Sequence, residues 1–318
     1  MNFAKMQGCG NDYVYIWLDE SVIADERTPE CIRALWNGVP DDINPELRTL
    51  VTTLSNRNFG VGADGVIFIR RFPTIIADFE MMMYNADGSR GKMCGNGMRC
   101  VAKYVRDHRL TGKDSFDIVS CRVPHTVRVN APLSEPVESV TVNMGAPVLT
   151  LEDIPVQIPS AVVEAAFCAV TPRPPHLIYC PLELGDMVYF FTPVSMGNPH
   201  AVVFLPPETD LDAFDVAGVG SRFARHAYFP ESVNVEFAIV DSSASIRMRV
   251  WERGSGETLC CGTGCCAVAV AGMLTGMTGE TVTVHTRGGD VECTWKYADN
   301  VVCMTGPAVT VFEGELFL

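Results

Sequence analysis

Residues 81–105 read MMMYNADGSRGKMCGNGMRCVAKYV, and residues 248–272 read MRVWERGSGETLCCGTGCCAVAVAG. With Cys94 set on Cys261, Tyr84 falls on Trp251, Gly95 on Gly262, Gly97 on Gly264, Val101 on Val268 and Ala102 on Ala269. Each stretch runs in the same order: an apolar strand, a glycine-rich turn, a cysteine, Gly-x-Gly, then a helix. A second anchor agrees, because Cys9-Gly10-Asn11 matches Met196-Gly197-Asn198 and each leads into a strand-like run. Asn11 precedes Cys94 by 83 positions and Asn198 precedes Cys261 by 63, so the first half carries the longer insertion. Two ordered anchors with matching flanks point to a domain duplication, since the period is too long for a solenoid repeat.

Working outward, short strands dominate. Asp12–Leu18, Gly65–Arg70, Phe79–Tyr84, Ser139–Asn143, Met187–Thr192, Ala201–Leu205, Val233–Val240, Ile246–Trp251, Thr281–His285 and Val301–Met304 are apolar runs, mostly bounded by turn formers. Two helices stand out. Gly97–Arg109 places Met98, Val101, Ala102 and Val105 on one face and stops at Thr111-Gly112. Gly264–Leu274 is apolar all round, as in a helix wrapped on every side. Asp25–Asn44 reads as irregular, with a loop at residues 36–42, and the Pro-rich Thr150–Pro181 reads as the connection between halves. The expected fold is α+β: two pseudo-symmetric domains, each a mainly antiparallel sheet or barrel around a central helix, with the active site in the cleft between them. The expected boundaries are residues 1–150 and residues 151–306.

Composition narrows the function. The net charge is −14, the pI about 4.8, and no basic stripe offers itself to nucleic acid or to an anionic membrane. No stretch approaches the length of a membrane-spanning helix. The N-terminal residues show neither an apolar signal core nor an Arg/Ser-rich presequence, which makes the cytoplasm the expected location. Thirteen cysteines, an odd number spread over a long chain, read as reduced thiols, most of them buried.

The chemistry lies at the paired cysteines. A thiol beside a helix N-terminus meets free backbone N–H groups and the positive end of the helix dipole, which favour a thiolate near neutral pH. The glycines let those N–H groups approach a carboxylate closely. Such an end can stabilise the enediolate formed when an amino acid loses its α-hydrogen. Two thiols on opposite faces of one carbon then account for inversion. Pyridoxal phosphate is the usual alternative electron sink. The five lysines (Lys5, Lys92, Lys103, Lys113 and Lys296) stand in no evident cofactor context, so no cofactor is expected.

These residues resemble the diaminopimelate epimerases, pyridoxal-independent enzymes of bacterial and plant lysine synthesis. The resemblance covers nearly the whole chain through KMQGCGNDYVYI (5–16), GVGADG (60–65), YNADGSRGKMCGNGMRC (84–100), MGNPHAVVF (196–204), SVNVEFA (232–238) and WERGSGETLCCGTGCCA (251–267). It implies that Cys94 and Cys261 are the catalytic pair. It implies that Gly95, Asn96, Gly262 and Thr263 supply helix-end N–H groups to the reacting carboxylate. Asn11, Asn85, Asn198 and Asn234 match substrate-binding asparagines, His200 and Glu252 the polar residues flanking the thiols, and Arg253 the arginine that pairs with the far carboxylate. A bidentate guanidinium suits that carboxylate chemically. The implied reaction interconverts LL- and meso-diaminopimelate in lysine and cell-wall precursor biosynthesis, the implied assembly is a homodimer, and residues 307–318 are implied to return and complete the first domain.

Simpler readings stand beside these. Cys94 alone would be an inert buried thiol; its match to Cys261 is what reverses that. Cys260, Cys265 and Cys266 crowd the second thiol but lack the Cys-x2-Cys spacing of a closed zinc site, so no metal is expected. Two rivals remain: racemisation of another amino acid, such as histidine, on the same fold, and a metal-binding or redox-sensing role for the cysteine cluster.

Overall fold

The computed structural model describes all residues except 39–43, 75, 92, 167–175 and 318. The chain divides into two compact units, Met1–Val142 with Gly306–Leu318, and Asn143–Thr305.

The first unit carries strands β1 (Asn2–Gly8), β2 (Asn11–Leu18), β3 (Gly65–Thr74), β4 (Ala77–Asn85), β5 (Ser115–Ser120), β6 (Val123–Val129) and the start of β7 (Ser139–Gly145). Its helices are α1 (Glu20–Ala24), α2 (Glu30–Trp36), α3 (Pro45–Ser55) and α4 (Gly95–Asp107). β1–β2, β3–β4, β5–β6 and β6–β7 pair antiparallel, while β2–β3 and β4–β5 pair parallel. The C-terminal strand Val309–Glu315 adds antiparallel to β1. Helix α4 packs on β1, β2, β6 and that last strand. It is buried from Gly95 to Arg106, polar residues included. Among them Arg99 is fully buried and donates to the Pro307 carbonyl at 3.0 Å, which ties the returning C-terminal segment to the helix.

The second unit repeats the plan. Its strands are β8 (Cys180–Leu184), β9 (Met187–Ser195), β10 (Pro199–Phe204), β11 (Asn234–Ser242), β12 (Ser245–Glu252), β13 (Gly256–Thr258), β14 (Thr281–Thr286), β15 (Gly289–Lys296) and β16 (Val301–Pro307). Its helices are α5 (Ser160–Ala166), α6 (Val216–Phe223) and α7 (Gly262–Leu274). β9–β10, β11–β12, β14–β15 and β15–β16 are antiparallel, and β10–β11 and β12–β14 are parallel. This is the pairing order of β1–β7 over again. A helix joins the first parallel pair in each unit (α3 and α6), and a buried helix joins the second (α4 and α7). Helix α7 contacts β9, β10, β11, β14 and β15, so its uniformly apolar surface is covered on all sides.

Every strand expected from the sequence is present, with ends moved by at most a few residues. The two expected helices begin two residues early, at Gly95 and Gly262, because Cys94 and Cys261 are themselves the N-caps. α4 also ends early: Arg109 takes a left-handed conformation at φ 55°, and Leu110 N–H turns back to the Val105 carbonyl. One expectation needs correcting. Asp25–Asn44 is not irregular throughout, since it contains α2, whose Cys31, Ile32 and Leu35 are buried against α1 and α3. The loop expected at 36–42 lies largely outside the described residues, as does part of the Pro-rich connection.

Buried thiols make stability depend on alkaline pH. Burial pushes Cys100 up to about 11 and Cys180 up to about 12. An unfolded cysteine ionises near pH 8.5. Above that pH the unfolded chain holds fewer protons than the folded one, so stability is full below it and falls as pH rises toward 11–12. Urea unfolding should therefore give a lower midpoint at about pH 10 than at about pH 8; equal midpoints would contradict the burial argument.

Candidate active site

In the first unit, Cys94 has the extended backbone of an N-cap (φ −137°, ψ 113°), and its Sγ accepts from Gly97 N–H at 3.3 Å. A sulfur is a weak acceptor as a thiol and a strong one as a thiolate, so this cap suits a group that cycles between the two. Gly95 and Asn96 form the opening turn, where N–H groups have no carbonyl four residues back. The Asn96 side chain is buried, and its Oδ1 has no hydrogen-bond partner among the described residues. Cys94 donates to Asn11 Oδ1 at 3.1 Å, and Asn11 Nδ2 donates to Asp64 Oδ2 at 2.9 Å. Arg57 bridges Asp64 (2.9 Å) and Asp12 (2.7 Å), and Lys5 reaches Asp12 at 2.5 Å. Burial alone would raise the Asp12 carboxyl, but hydrogen bonds from Arg57 and Lys5 outweigh it and hold it below its ordinary range. Asn85 closes β4, its Nδ2 donating to Ser89 Oγ at 2.9 Å. Cys94, Asn11, Gly95 and Asn96 thus converge on one helix end, with Asn85 at the end of the strand that leads toward the thiol turn.

Sequence reasoning missed Tyr13 in this half. Its side chain is buried near the Asn11 and Cys94 side chains. Burial, then the neighbouring sulfur, holds the hydroxyl protonated far above neutral pH. The available signal was position: Tyr13 stands two residues beyond Asn11 on the same face of β2.

In the second unit, Cys261 caps α7 the same way (φ −113°, ψ 112°), its Sγ accepting from Gly264 N–H at 3.4 Å. Thr263 Oγ1 lies 3.4 Å from that sulfur, and Asn198 Nδ2 donates to Thr263 Oγ1 at 3.3 Å. His200 sets Nε2 3.1 Å from Asn198 Oδ1 and Nδ1 2.7 Å from Glu236 Oε1. The parallel register of β10 and β11 pairs His200 with Asn234. Asn234 Oδ1 accepts from Arg253 N–H at 2.8 Å, fixing the residue that follows β12. The Arg253 side chain is exposed and donates to the Glu231 carbonyl at 3.0 Å. Glu252 accepts from Thr258 and lies near the Cys261 thiol. Burial raises the Glu252 carboxyl, and its polar neighbours only partly offset that.

The second thiol departs from expectation. A helix end was expected to favour its thiolate, yet Cys261 is pushed well above the ordinary thiol range. Burial is the main cause, followed by the Glu252 and Glu236 carboxylates; the Thr263 and Gly264 donors only partly offset them. Cys261 therefore rests as a thiol, with the Glu252 and Glu236 carboxylates as its acidic neighbours.

Both caps depend on glycine at the third helical position. A Cβ on Gly264 would stand 2.7 Å from Glu236 Oε1 and 3.2 Å from Cys261 Cβ. Gly264→Ala must displace one or the other. We expect it to cost about 1–3 kcal/mol of stability and most of the activity; wild-type turnover in that variant would show that the cap geometry is not needed.

The family model for diaminopimelate epimerase matches residues 37–150 and 192–311. The chain belongs to the diaminopimelate epimerase family. It is 42% identical over 318 residues to a diaminopimelate epimerase of Desulfovibrio desulfuricans, covering 100% of this chain and 99% of the relative. It is 41% identical over 316 residues to that of Leptospira biflexa, covering 99% of each. A hydroxyproline epimerase from Agrobacterium vitis has the same fold, with a TM-score of 0.64 at 13% identity, covering 99% of this chain and 90% of that one. Members of the diaminopimelate epimerase family are isomerases, and this chain is one at the level of reaction class. Among the described residues, no three His, Cys, Asp or Glu side chains are grouped to hold a metal ion.

Proposed function

We propose that the protein interconverts LL- and meso-diaminopimelate without a cofactor, in lysine and cell-wall precursor biosynthesis. The observation that carries this reading is the pair of half-sites in which a cysteine caps a buried helix and accepts from its own third-position glycine. Cys94 and Cys261 act on one α-carbon, one as thiolate base and the other as thiol acid, with roles exchanged in the reverse direction. Gly95, Asn96, Gly262 and Thr263 present helix-end N–H groups to the reacting carboxylate, where negative charge grows as the α-hydrogen leaves. Asn11, Asn85, Asn198 and Asn234 bind the amino and carboxylate groups, and Glu252 with His200 holds the proton balance at the second sulfur. Arg253, the exposed cation on the β12–β13 hairpin, takes the far carboxylate.

In this reading the protein works in the cytoplasm, where thiols stay reduced, as a homodimer of twice 34.7 kDa. Among the described residues no helix is long and apolar enough to cross a membrane. Its partner is a small amino-acid substrate, with neither nucleic acid nor membrane involved. Chiral chromatography tests the reaction. Starting from either LL- or meso-diaminopimelate, the enzyme should produce the same final mixture with no pyridoxal phosphate added. Persistence of the starting isomer from both sides would overturn the reading.

A further inference from the structure

The first half-site rests on an ion network to which the proposed reaction assigns no role. Asp64 stands just before β3, and its backbone N–H donates to the Asp12 carbonyl at 2.8 Å. Its carboxylate takes three donors. Asp12 N–H reaches Oδ2 at 3.1 Å, Arg57 Nη2 reaches Oδ1 at 2.9 Å, and Asn11 Nδ2 reaches Oδ2 at 2.9 Å. Arg57 also holds the Asp12 carboxylate, through Nη2 at 2.7 Å and Nη1 at 3.2 Å, and the buried Lys5 pairs with Asp12 as well.

Every link from this network to the sulfur has a single polarity. A backbone N–H and a guanidinium can only donate, and a carboxylate ion-paired to a guanidinium has no hydrogen to give. Asn11 must therefore turn its nitrogen to Asp64, which leaves its oxygen for Cys94 Sγ, 3.1 Å away. An amide oxygen can only accept, so it favours the S–H form of the sulfur and opposes the thiolate. Gly97 N–H, 3.3 Å from the same sulfur, can only donate and favours the thiolate.

We propose that Asp64 is a positioning residue: by holding the Asn11 nitrogen it aims the Asn11 oxygen at Cys94, and so sets a pull toward the thiol against the pull of the helix cap toward the thiolate. A group that takes a proton in one direction and gives one in the other needs both forms within reach at one pH. The helix end alone tips Cys94 toward the thiolate, which has no proton to give; the Asn11 oxygen restores the balance. The inference rests on reading Cys94 as a reacting thiol and adds to it the residue that tunes that thiol.

Asp64→Ala frees the Asn11 amide to turn its nitrogen to the sulfur, and it takes away a negative charge. Both changes favour the thiolate, so the Cys94 midpoint can move only downward. Asn11→Ala separates the two causes, because it removes the amide and leaves the Asp64 charge in place. The Asp64 side chain is 40% exposed and Asp12 keeps its pairing to Arg57 and Lys5, so Asp64→Ala should fold. The other titratable groups near Cys94 are Tyr13 and Tyr15 on β2 and Cys100 on α4; burial holds all three protonated, and neither substitution alters them.

The experiment is the pH dependence of iodoacetamide alkylation at Cys94, quantified on its peptide by mass spectrometry, in wild type, Asp64→Ala, Asn11→Ala and the double variant, each beside a thermal melt. It needs no substrate, so its failure is separate from a failure of the diaminopimelate reading. Asp64→Ala should lower the Cys94 midpoint by about one pH unit. At a fixed pH below the midpoint, alkylation should then run about threefold faster, because about tenfold more thiolate is partly offset by its lower nucleophilicity. Asn11→Ala should also lower the midpoint, and adding Asp64→Ala to it should lower it little further. An unmoved or raised midpoint in Asp64→Ala, or in Asn11→Ala, would overturn the proposal. The same shift from Asp64→Ala with and without Asn11 would overturn it too, since Asp64 would then act as a bare charge.

Discussion

Cys94→Ala and Cys261→Ala should each lose epimerisation by about 10^2 to 10^4-fold, the scale of a general acid or base removed from a positioned site. The two losses should not multiply in the double variant, because in the proposed mechanism each thiol needs the other to complete an inversion. Neither substitution should unfold the protein. Both cysteines sit at helix N-caps, where loss of the cap costs about 1 kcal/mol, and each helix stays buried along its length. The check is steady-state turnover from both isomers beside a thermal melt. Full activity in either single variant, with the fold retained, would remove the two-thiol mechanism.

The second large effect is expected at Arg253. Its backbone is fixed by the bond from its N–H to Asn234 Oδ1, and its guanidinium is exposed with one carbonyl contact, to Glu231. Such a side chain is held at its base and open at its tip, which suits bidentate capture of a carboxylate. Arg253→Ala should lower kcat/KM for diaminopimelate about a hundredfold, mainly through KM. Arg253→Lys should recover only part of it, because an ammonium cannot make the paired contact. An unchanged KM in Arg253→Ala would place the far carboxylate elsewhere.

Much of this was legible because duplication writes the same physics twice. Cys-Gly-x-Gly after a strand marked both helix ends, and the structure shows that the cysteines are the caps themselves. The strands themselves followed from the apolar runs, but their repeated pairing, with two parallel pairs in each unit, has no local signal. Helix α3 was missed although its signals are present: Asn44 caps it through Glu46 and Leu47 N–H groups, Pro45 follows, and Leu47, Val51 and Leu54 form a buried stripe. The shorter α2 carries fewer such signals and takes its stability from packing against neighbours, which a local reading cannot see.

At the site, the sequence picked out side chains by motif but not their protonation. Cys94 and Cys261 have matching caps, yet Cys261 is carried upward by burial and by two carboxylates from β11 and β12. Those carboxylates meet the thiol only once the parallel β10–β11 pair and the β11–β12 hairpin are formed. Glu236 was hidden for the same reason. A single acid in an apolar strand was its one local sign, and such a sign names no partner.

We propose proton exchange at the α-carbon of diaminopimelate by two thiols. Its most direct test is incubation in deuterated water, without pyridoxal phosphate, of LL- and meso-diaminopimelate beside histidine, proline and other amino acids, followed by NMR at the α-position. Deuterium should enter the α-carbon of diaminopimelate, appearing in the inverted product from the first turnovers, with the other amino acids unlabelled. Deuterium entering histidine or another amino acid while diaminopimelate keeps its hydrogen would contradict it.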